Sequence, residues 1–264
     1  SGTLMAGEIL VSRDGAIATV VLSNPGKLNA LNAAMWRALG KTITALSGDE
    51  SLRCVVLRGA GDQAFAAGGD IEEFVRLRDT EERARAYHDW VGAALAAIRD
   101  CLHPTVAVIR GHCIGGGLEI AAQCDLRICG ESARFGVPIS RLGFTMYHAE
   151  LAGLVELAGP AVALELLLEA RILSAREACE KGLVTRVAPD AQVEEEARAC
   201  ARRIAAGAPL VARRHKRLVR RLAYLPLPLS PEEVEENLAW LGTEDYREGI
   251  AAFLEKRAPR FSGR

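Results

Sequence analysis

The chain opens on two runs in which β-branched and other apolar residues recur. In ILVSRDGAIATVVLSNP, residues 9–25, they flank Arg13, Asp14 and Gly15, a turn sequence, and predict a β-hairpin. Residues 33–47 then carry a helical pattern. RCVVLRGAG, residues 53–61, is a short apolar run ending in glycines, which predicts a buried strand. A long helix is expected over residues 81–102, and a second buried strand in HPTVAVIRG, residues 103–111. CDLRICG at 124–130 and GLVTRVA at 182–188 supply a third and a fourth, with helices between them. Strands that alternate with helices tend to pair in parallel, so the expected fold class is α/β.

Beyond about residue 190 the strand pattern stops. AQVEEEARACARRIAAG, APLVARRHKRLVRRLAY, SPEEVEENLAWLG and TEDYREGIAAFLEKRAP, spanning 191–224 and 230–259, read as successive helices. Ser230, with Pro231 and Glu233 behind it, has the chemistry of a helix start: an N-cap hydroxyl, then proline in the first turn. The chain is therefore divided into an α/β core, 1–190, and an all-helical region, 191–264. The most apolar stretch, 151–173, is interrupted by Glu156, Glu165 and Glu169, with Gly159 and Pro160 in its middle. It predicts two amphipathic helices and not a membrane span.

Composition narrows the class. Half of the 264 residues are apolar and a quarter are charged, as in an ordinary globular protein. The formal net charge of −1 gives no overall field that favours nucleic acid. The basic run RRHKRLVRR, 213–221, lacks interleaved aromatics and is expected to be a solvated helix face. Seven cysteines without a C-x-x-C pair point away from a disulfide framework or a zinc site, and toward small buried residues in a reducing compartment. The first dozen residues carry no charged segment ahead of a long apolar one, so no secretory signal is expected. The four residues ahead of Met5 are expected to be an appended remnant, and the protein to be cytoplasmic.

A strand, a glycine-rich loop and a helix follow one another twice. One copy is CVVLRGAGDQAFAAGGDIEEF, 54–74; the other lies in IRGHCIGGGLEIAAQCDLRI, 109–128. Glycine lets a ligand approach the backbone, and the first turn of a helix presents unpaired N–H groups. Two such loops brought together would aim two donors at one point, the construction of an oxyanion hole. Tight helix–strand packing would explain either loop taken alone. The chain has no G-x-G-x-x-G, no G-x-x-x-x-G-K-[ST] and no G-x-S-x-G, which removes the dinucleotide, P-loop and serine-hydrolase fingerprints.

NPGKLNALN at 24–32, FAAGGDIEEF at 65–74, GHCIGGGLEIAAQCDLRI at 111–128 and EGIAAFLEKRAPRF at 248–261 together resemble the enoyl-CoA hydratase/isomerase (crotonase) superfamily. The resemblance implies a spiral of ββα units followed by a helical trimerisation region. It also implies an acyl-CoA thioester substrate, assembly as a trimer or dimer of trimers, and no cofactor beyond the CoA of the substrate. It places the oxyanion amides at Gly69 and Gly116. It assigns CoA and substrate contacts to Lys27, Leu28, Ala30, Ala67, Asp70 and Ile71, and, reaching a neighbouring subunit's CoA, to Phe253 and Lys256. Glu72 stands where relatives often carry lysine.

Glu119, two residues after the glycine triplet, could simply complement the helix dipole. Its neighbours in IGGGLEIAA are apolar, and it matches the superfamily's first catalytic glutamate. An apolar pocket would raise its pKa toward the range that acid–base work needs. Hydratases of this kind hold water between two glutamates, the second in a segment like FGxPE. Here FGVPIS, 135–140, puts Ile139 at that place. Three readings stay open: Glu119 works alone; Tyr147, His148 or Glu150 substitutes, His148 suiting best by intrinsic pKa; or the chemistry differs. The favoured reaction is enoyl-CoA hydration. The alternatives are hydroxyacyl-CoA dehydration, isomerisation, decarboxylation, C–C cleavage or plain acyl-CoA binding.

Overall fold

The computed structural model describes residues 6–224 and 228–264; the first five residues, with the remnant expected ahead of Met5, lie outside that range. The first half runs β1 (Glu8–Asp14), β2 (Ile17–Ser23), α1 (Ala33–Ser47), β3 (Cys54–Gly59), β4 (Ala64–Ala66), α2 (Ile71–Leu77), α3 (Glu81–Arg99), β5 (Thr105–Ile109), β6 (His112–Ile114) and α4 (Gly116–Gln123). Then come β7 (Leu126–Gly130), β8 (Arg134–Gly136), a 3-10 turn (Ile139–Leu142), α5 (His148–Leu168), β9 (Ile172–Ser174), α6 (Ala175–Glu180) and β10 (Arg186–Ala188). Four helices close the chain, α7 (Val193–Ala206), α8 (Pro209–Tyr224), α9 (Pro231–Leu238) and α10 (Glu244–Leu254).

Burial dictates strand order. All of β5 and residues 54–57 of β3 are buried. Strands apolar on both faces need cover on both, which suits the middle of a parallel sheet. They stand there, in a six-stranded sheet ordered β1-β2-β3-β5-β7-β10. The predicted hairpin forms its antiparallel edge, Asp14 pairing with Ile17 across a two-residue turn in which Gly15 has φ 57°. The remaining pairs of this sheet are parallel. A second sheet, β4-β6-β8-β9, is built from strands of three residues. Each of β3, β5 and β7 in the large sheet leads into β4, β6 and β8 of the small one, and a helix follows each step. The chain thus winds as the expected α/β spiral.

Several boundaries differ from the sequence reading. Helix α3 ends at Arg99, where the Asp100 N–H closes onto Ala96 O, and Thr105 is the first strand residue after Pro104. The strand expected at 182–188 shrinks to Arg186–Ala188 because Gly182, at φ 79°, still belongs to the turn closing α6. The apolar stretch forms two helical segments, as expected. Gly159 (φ 76°, ψ 165°) breaks α5 just before Pro160, although by length and composition alone α5 passes for a membrane-crossing helix.

The division at residue 190 separates α7 from the sheet it covers. Val193, Ala197, Cys200 and Ala201 of α7 are buried against Cys54, Val56, Val106, Val108 and Ile128. Packing therefore joins α7 to the core. The basic run on α8 meets carboxylates of its own chain: Lys216 and Arg220 each reach Asp125 at 2.9 Å, and Arg217 and Arg221 pair with Glu236 and Glu233 on α9. Ser230 caps α9 as predicted, accepting from the Glu233 N–H at 3.2 Å while Ser230 N–H donates to the Glu233 carboxylate at 2.7 Å. Six of the seven cysteines are buried, Cys179 is exposed, and none is disulfide-bonded.

Candidate active site

Strands β4 and β6 are parallel neighbours, so their following loops emerge side by side. Those loops are the two glycine-rich segments, and they touch: a Cβ built on Gly115 would lie 3.5 Å from Gly68 Cα. Leu31 N–H donates to Gly68 O and Asp70 N–H donates to Leu31 O, both at 2.8 Å. In parallel pairing these two bonds bracket residue 69, so the N–H of Gly69 faces away from Leu31. It makes no hydrogen bond among the described residues. Gly116 is the first residue of α4, and its N–H has no acceptor within the helix. Gly69 and Gly116 line one cavity.

Packing makes its own demands on the glycine triplet. Gly115 has φ 51°, a conformation that a side chain disfavours. On Gly116 a Cβ would come within 2.8 Å of the Trp36 ring, and on Gly117 within 2.3 Å of Ala66 O. Helix α4 therefore lies directly on β4, which carries its N-terminus to the cavity. Its other end is fixed by the buried Arg127, whose guanidinium donates to Ala121 O at 3.1 Å and Cys124 O at 2.5 Å.

Glu119 lies in the first turn of α4, is 8% exposed, and lines the cavity. Burial drives its carboxyl pKa well above the ordinary value, the neighbouring Glu150 carboxylate pushes the same way, and the Arg78 cation opposes both. The helix dipole also favours a carboxylate here, and among burial, Glu150 and Arg78 it is burial that weighs most. Glu150, buried in the first turn of α5, lines the same cavity. His88 of α3 holds it, with Nδ1 to Glu150 Oε1 at 2.7 Å. On its other side, His88 Nε2 is 3.4 Å from Arg78 Nη2. One assignment satisfies both contacts: Arg78 donates to Nε2, and Nδ1–H donates to Glu150. Tyr147 stacks on the His88 ring, with centroids 4.5 Å apart.

The cavity gathers Ala67, Gly69, Ile71, Gly116 and Glu119 from among the residues singled out by sequence. It also contains Ile139, at the place where relatives carry the second glutamate. Lys27, Leu28, Ala30 and Asp70 lie outside the cavity lining, with Leu28 hydrogen-bonded to the lining residue Ala67 and Asp70 standing between Gly69 and Ile71 in the chain. Ala67 N–H donates to Leu28 O at 3.0 Å, and Lys27 Nζ donates to Asp70 at 2.8 Å and Glu72 at 2.7 Å. Those two hydrogen bonds hold the Lys27 pKa above its ordinary value. Phe253 is 81% exposed on α10, and neither it nor the exposed Lys256 lines the cavity. Tyr147 and His148 do not line it either: His148 is exposed at the first position of α5. Of the three substitutes the sequence offered, Glu150 is the one that faces Glu119.

Sequence reasoning missed Arg78, Tyr87 and His88. Tyr87 and His88 sit on the buried stripe of α3 with Val91, Ala94, Leu95 and Ile98, a stripe that reads as core. The available signal was a histidine among those apolar positions.

Residues 12–264 match the family described as enoyl-CoA hydratase/isomerase. A solved structure from Magnetospirillum magneticum, described as an enoyl-CoA hydratase/carnitine racemase, is 49% identical and superposes with TM-score 0.95 over 97% of this chain and 96% of that one. A Mycobacterium bovis relative described as a "probable enoyl-CoA hydratase" is 36% identical over 97% of this chain and 98% of its own length. A carnitinyl-CoA dehydratase of Salmonella typhi is 30% identical over 98% of this chain and 100% of its own.

Proposed function

The chain belongs to the enoyl-CoA hydratase/isomerase family, a superfamily of acyl-CoA enzymes, and from that premise we propose that it is a lyase adding water reversibly across the double bond of a 2-enoyl-CoA. The observation that carries this reading is the pairing of two buried carboxylates, Glu119 and Glu150, with the Gly69 and Gly116 amides around one cavity. The thioester oxygen accepts from both amides. Water held between the carboxylates loses a proton to Glu150 as its oxygen bonds to C3. Electron density moves onto the thioester oxygen, and Glu119, kept protonated by burial, delivers its proton to C2. Proton exchange with solvent then restores both carboxyls. Each amide donor aimed at the developing charge contributes about 3 kcal/mol to lowering the barrier. His88 is a positioning residue that fixes the Glu150 carboxylate.

Lys27, Leu28, Ala30 and the segment 67–71 are proposed to line the path of the CoA. Glu72 already holds Lys27, so a CoA phosphate reaching that ammonium competes with a carboxylate. Phe253 and Lys256 are proposed to serve the CoA of a neighbouring subunit in a trimer or dimer of trimers. The unpaired cysteines fit a reducing, cytoplasmic setting.

Loss of the conjugated thioester absorbance of crotonyl-CoA and longer enoyl-CoAs tests the reading. Glu119→Gln and Glu150→Gln should each lower kcat by about 10²–10⁴-fold, the range of a lost general acid or base, while CoA-ester binding persists. Full activity in Glu150→Gln would leave Glu119 working alone. A wild-type protein that neither hydrates any enoyl-CoA nor exchanges α-hydrogens for deuterium from D2O would overturn the assignment.

A further inference from the structure

The cavity holds a cation that makes no ion pair among the described residues, although its field reaches Glu119. Arg78 lines the cavity, half-buried among three aromatic rings. Its guanidinium carbon is 4.3 Å from the Phe74 centroid, 4.7 Å from that of Phe144 and 5.7 Å from that of Tyr87. Among the described residues no carboxylate lies within salt-bridge distance of it, and the one polar side-chain contact is His88 Nε2. Glu150 is held by the other nitrogen of that histidine. Beside the cation stands an unused donor. The Tyr87 hydroxyl, on a residue 3% exposed, has no acceptor for its proton among the described residues, since the Trp36 indole N–H beside it can only donate. It faces the loop at the cavity: a Cβ on Gly69 would lie 3.7 Å from it. A buried donor without an acceptor, and a partly desolvated guanidinium whose polar contact is one imidazole nitrogen, cost stability unless a ligand completes them.

We propose that Arg78 and the Tyr87 hydroxyl form an anion subsite, and that the acyl group this enzyme takes carries a carboxylate a short distance beyond its double bond. The proposal rests on the hydratase reading for the place of the double bond, but the subsite itself is a matter of binding. A carboxylate there accepts from the guanidinium and from the phenol, which replaces the water lost by each. An aromatic cage of this kind otherwise suits a quaternary ammonium group. Here the cage is already filled by the arginine, so an acyl group bearing a trimethylammonium meets like charge.

Calorimetric binding of saturated esters tests this without requiring turnover. Glutaryl-CoA, butyryl-CoA and 4-trimethylammoniobutyryl-CoA differ mainly in the charge at the acyl end. The wild-type protein should bind glutaryl-CoA about 10- to 100-fold more tightly than butyryl-CoA, the range of charge-assisted hydrogen bonds, and the ammonium ester most weakly. In Arg78→Met, which keeps an apolar chain against the rings, the ratio of glutaryl- to butyryl-CoA affinity should fall toward one. Tyr87→Phe should lower it by a smaller factor, and Arg78→Lys should retain part of it. Equal wild-type affinities for the first two esters would overturn the proposal. So would equal weakening of both by Arg78→Met, the result expected if the arginine served the CoA phosphates or only the catalytic carboxylates. Failure of the hydratase reading shows separately, as absent hydration with the binding ratio intact.

Discussion

At the scale of single residues, Glu119 is where opposing effects are easiest to rank. The helix N-terminus and Arg78 favour its charged form; burial and Glu150 oppose it, and burial is the largest contribution. The folded state therefore keeps this proton above pH 4.5, where the unfolded chain releases it. A group with a raised folded pKa gives stability that is complete below its unfolded value and is lost as pH rises through the folded one. Glu119→Gln removes that titration. Its melting temperature relative to wild type should thus climb as pH rises above 4.5, and melts of the two proteins over rising pH check the sign. A difference independent of pH would mean that Glu119 ionises as freely in the fold as out of it. Glu119 was legible in the sequence because a carboxylate among apolar neighbours in a helix's first turn is a local pattern. Glu150 was legible only as one of three candidates. Its partner His88 is 62 positions away, and no spacing rule connects them. Tyr87 gave no signal, since a helix face that ends in a cavity has the same periodicity as one that ends in core, and Arg78, at the C-cap of α2, belongs to no spacing pattern that ties it to the site.

At the scale of elements, the catalytic helix depends on how closely α4 meets β4. Gly117 decides that distance. Alanine there would gain roughly 1 kcal/mol of helix propensity. Its Cβ would also sit 2.3 Å from the Ala66 carbonyl, a backbone atom that cannot rotate aside. Overpacking of this kind costs about 1–3 kcal/mol, so the steric effect outweighs the propensity. Gly117→Ala should be less stable by up to about 2 kcal/mol in chemical denaturation, and its kcat should fall because the Gly116 amide moves with the helix. A variant as stable and as active as wild type would show that α4 is not clamped. The same contact explains which parts of the fold the pattern of residues revealed. The long buried strands β3 and β5 stand out as apolar runs, and the large sheet follows from them. The small sheet, with β4 beneath α4, consists of three-residue strands, too short for alternation to register. Arg127 shows the reverse case: a charged residue inside an apart-from-it apolar strand, whose use as a cap for α4 depends on contacts to Leu183 and Cys124 that only the folded chain creates.

At the scale of the whole molecule, apolar surface remains exposed on the closing helices. Leu238, Leu241, Ile250, Phe253 and Leu254 are 48%, 54%, 49%, 81% and 72% exposed, and Leu168 at the end of α5 is 74% exposed. Scattered apolar side chains are ordinary on a protein surface. A succession of them along α9, the turn after it and α10 is a different matter, because contiguous apolar faces mark association sites. Resemblance to the superfamily gives the expected occupant: further copies of this chain. Light scattering after size-exclusion chromatography should therefore return three or six times the 28.3 kDa of one chain. Phe253→Asp puts a charge on the most exposed of these residues without disturbing any buried contact of the monomer. It should shift the population toward single chains and make the apparent mass depend on concentration, as mass action requires. The wild type migrating as one chain at micromolar concentration would remove the partner subunit from the argument. Phe253 and Lys256 would then have no CoA to reach, and the site would have to be complete within the cavity of one chain.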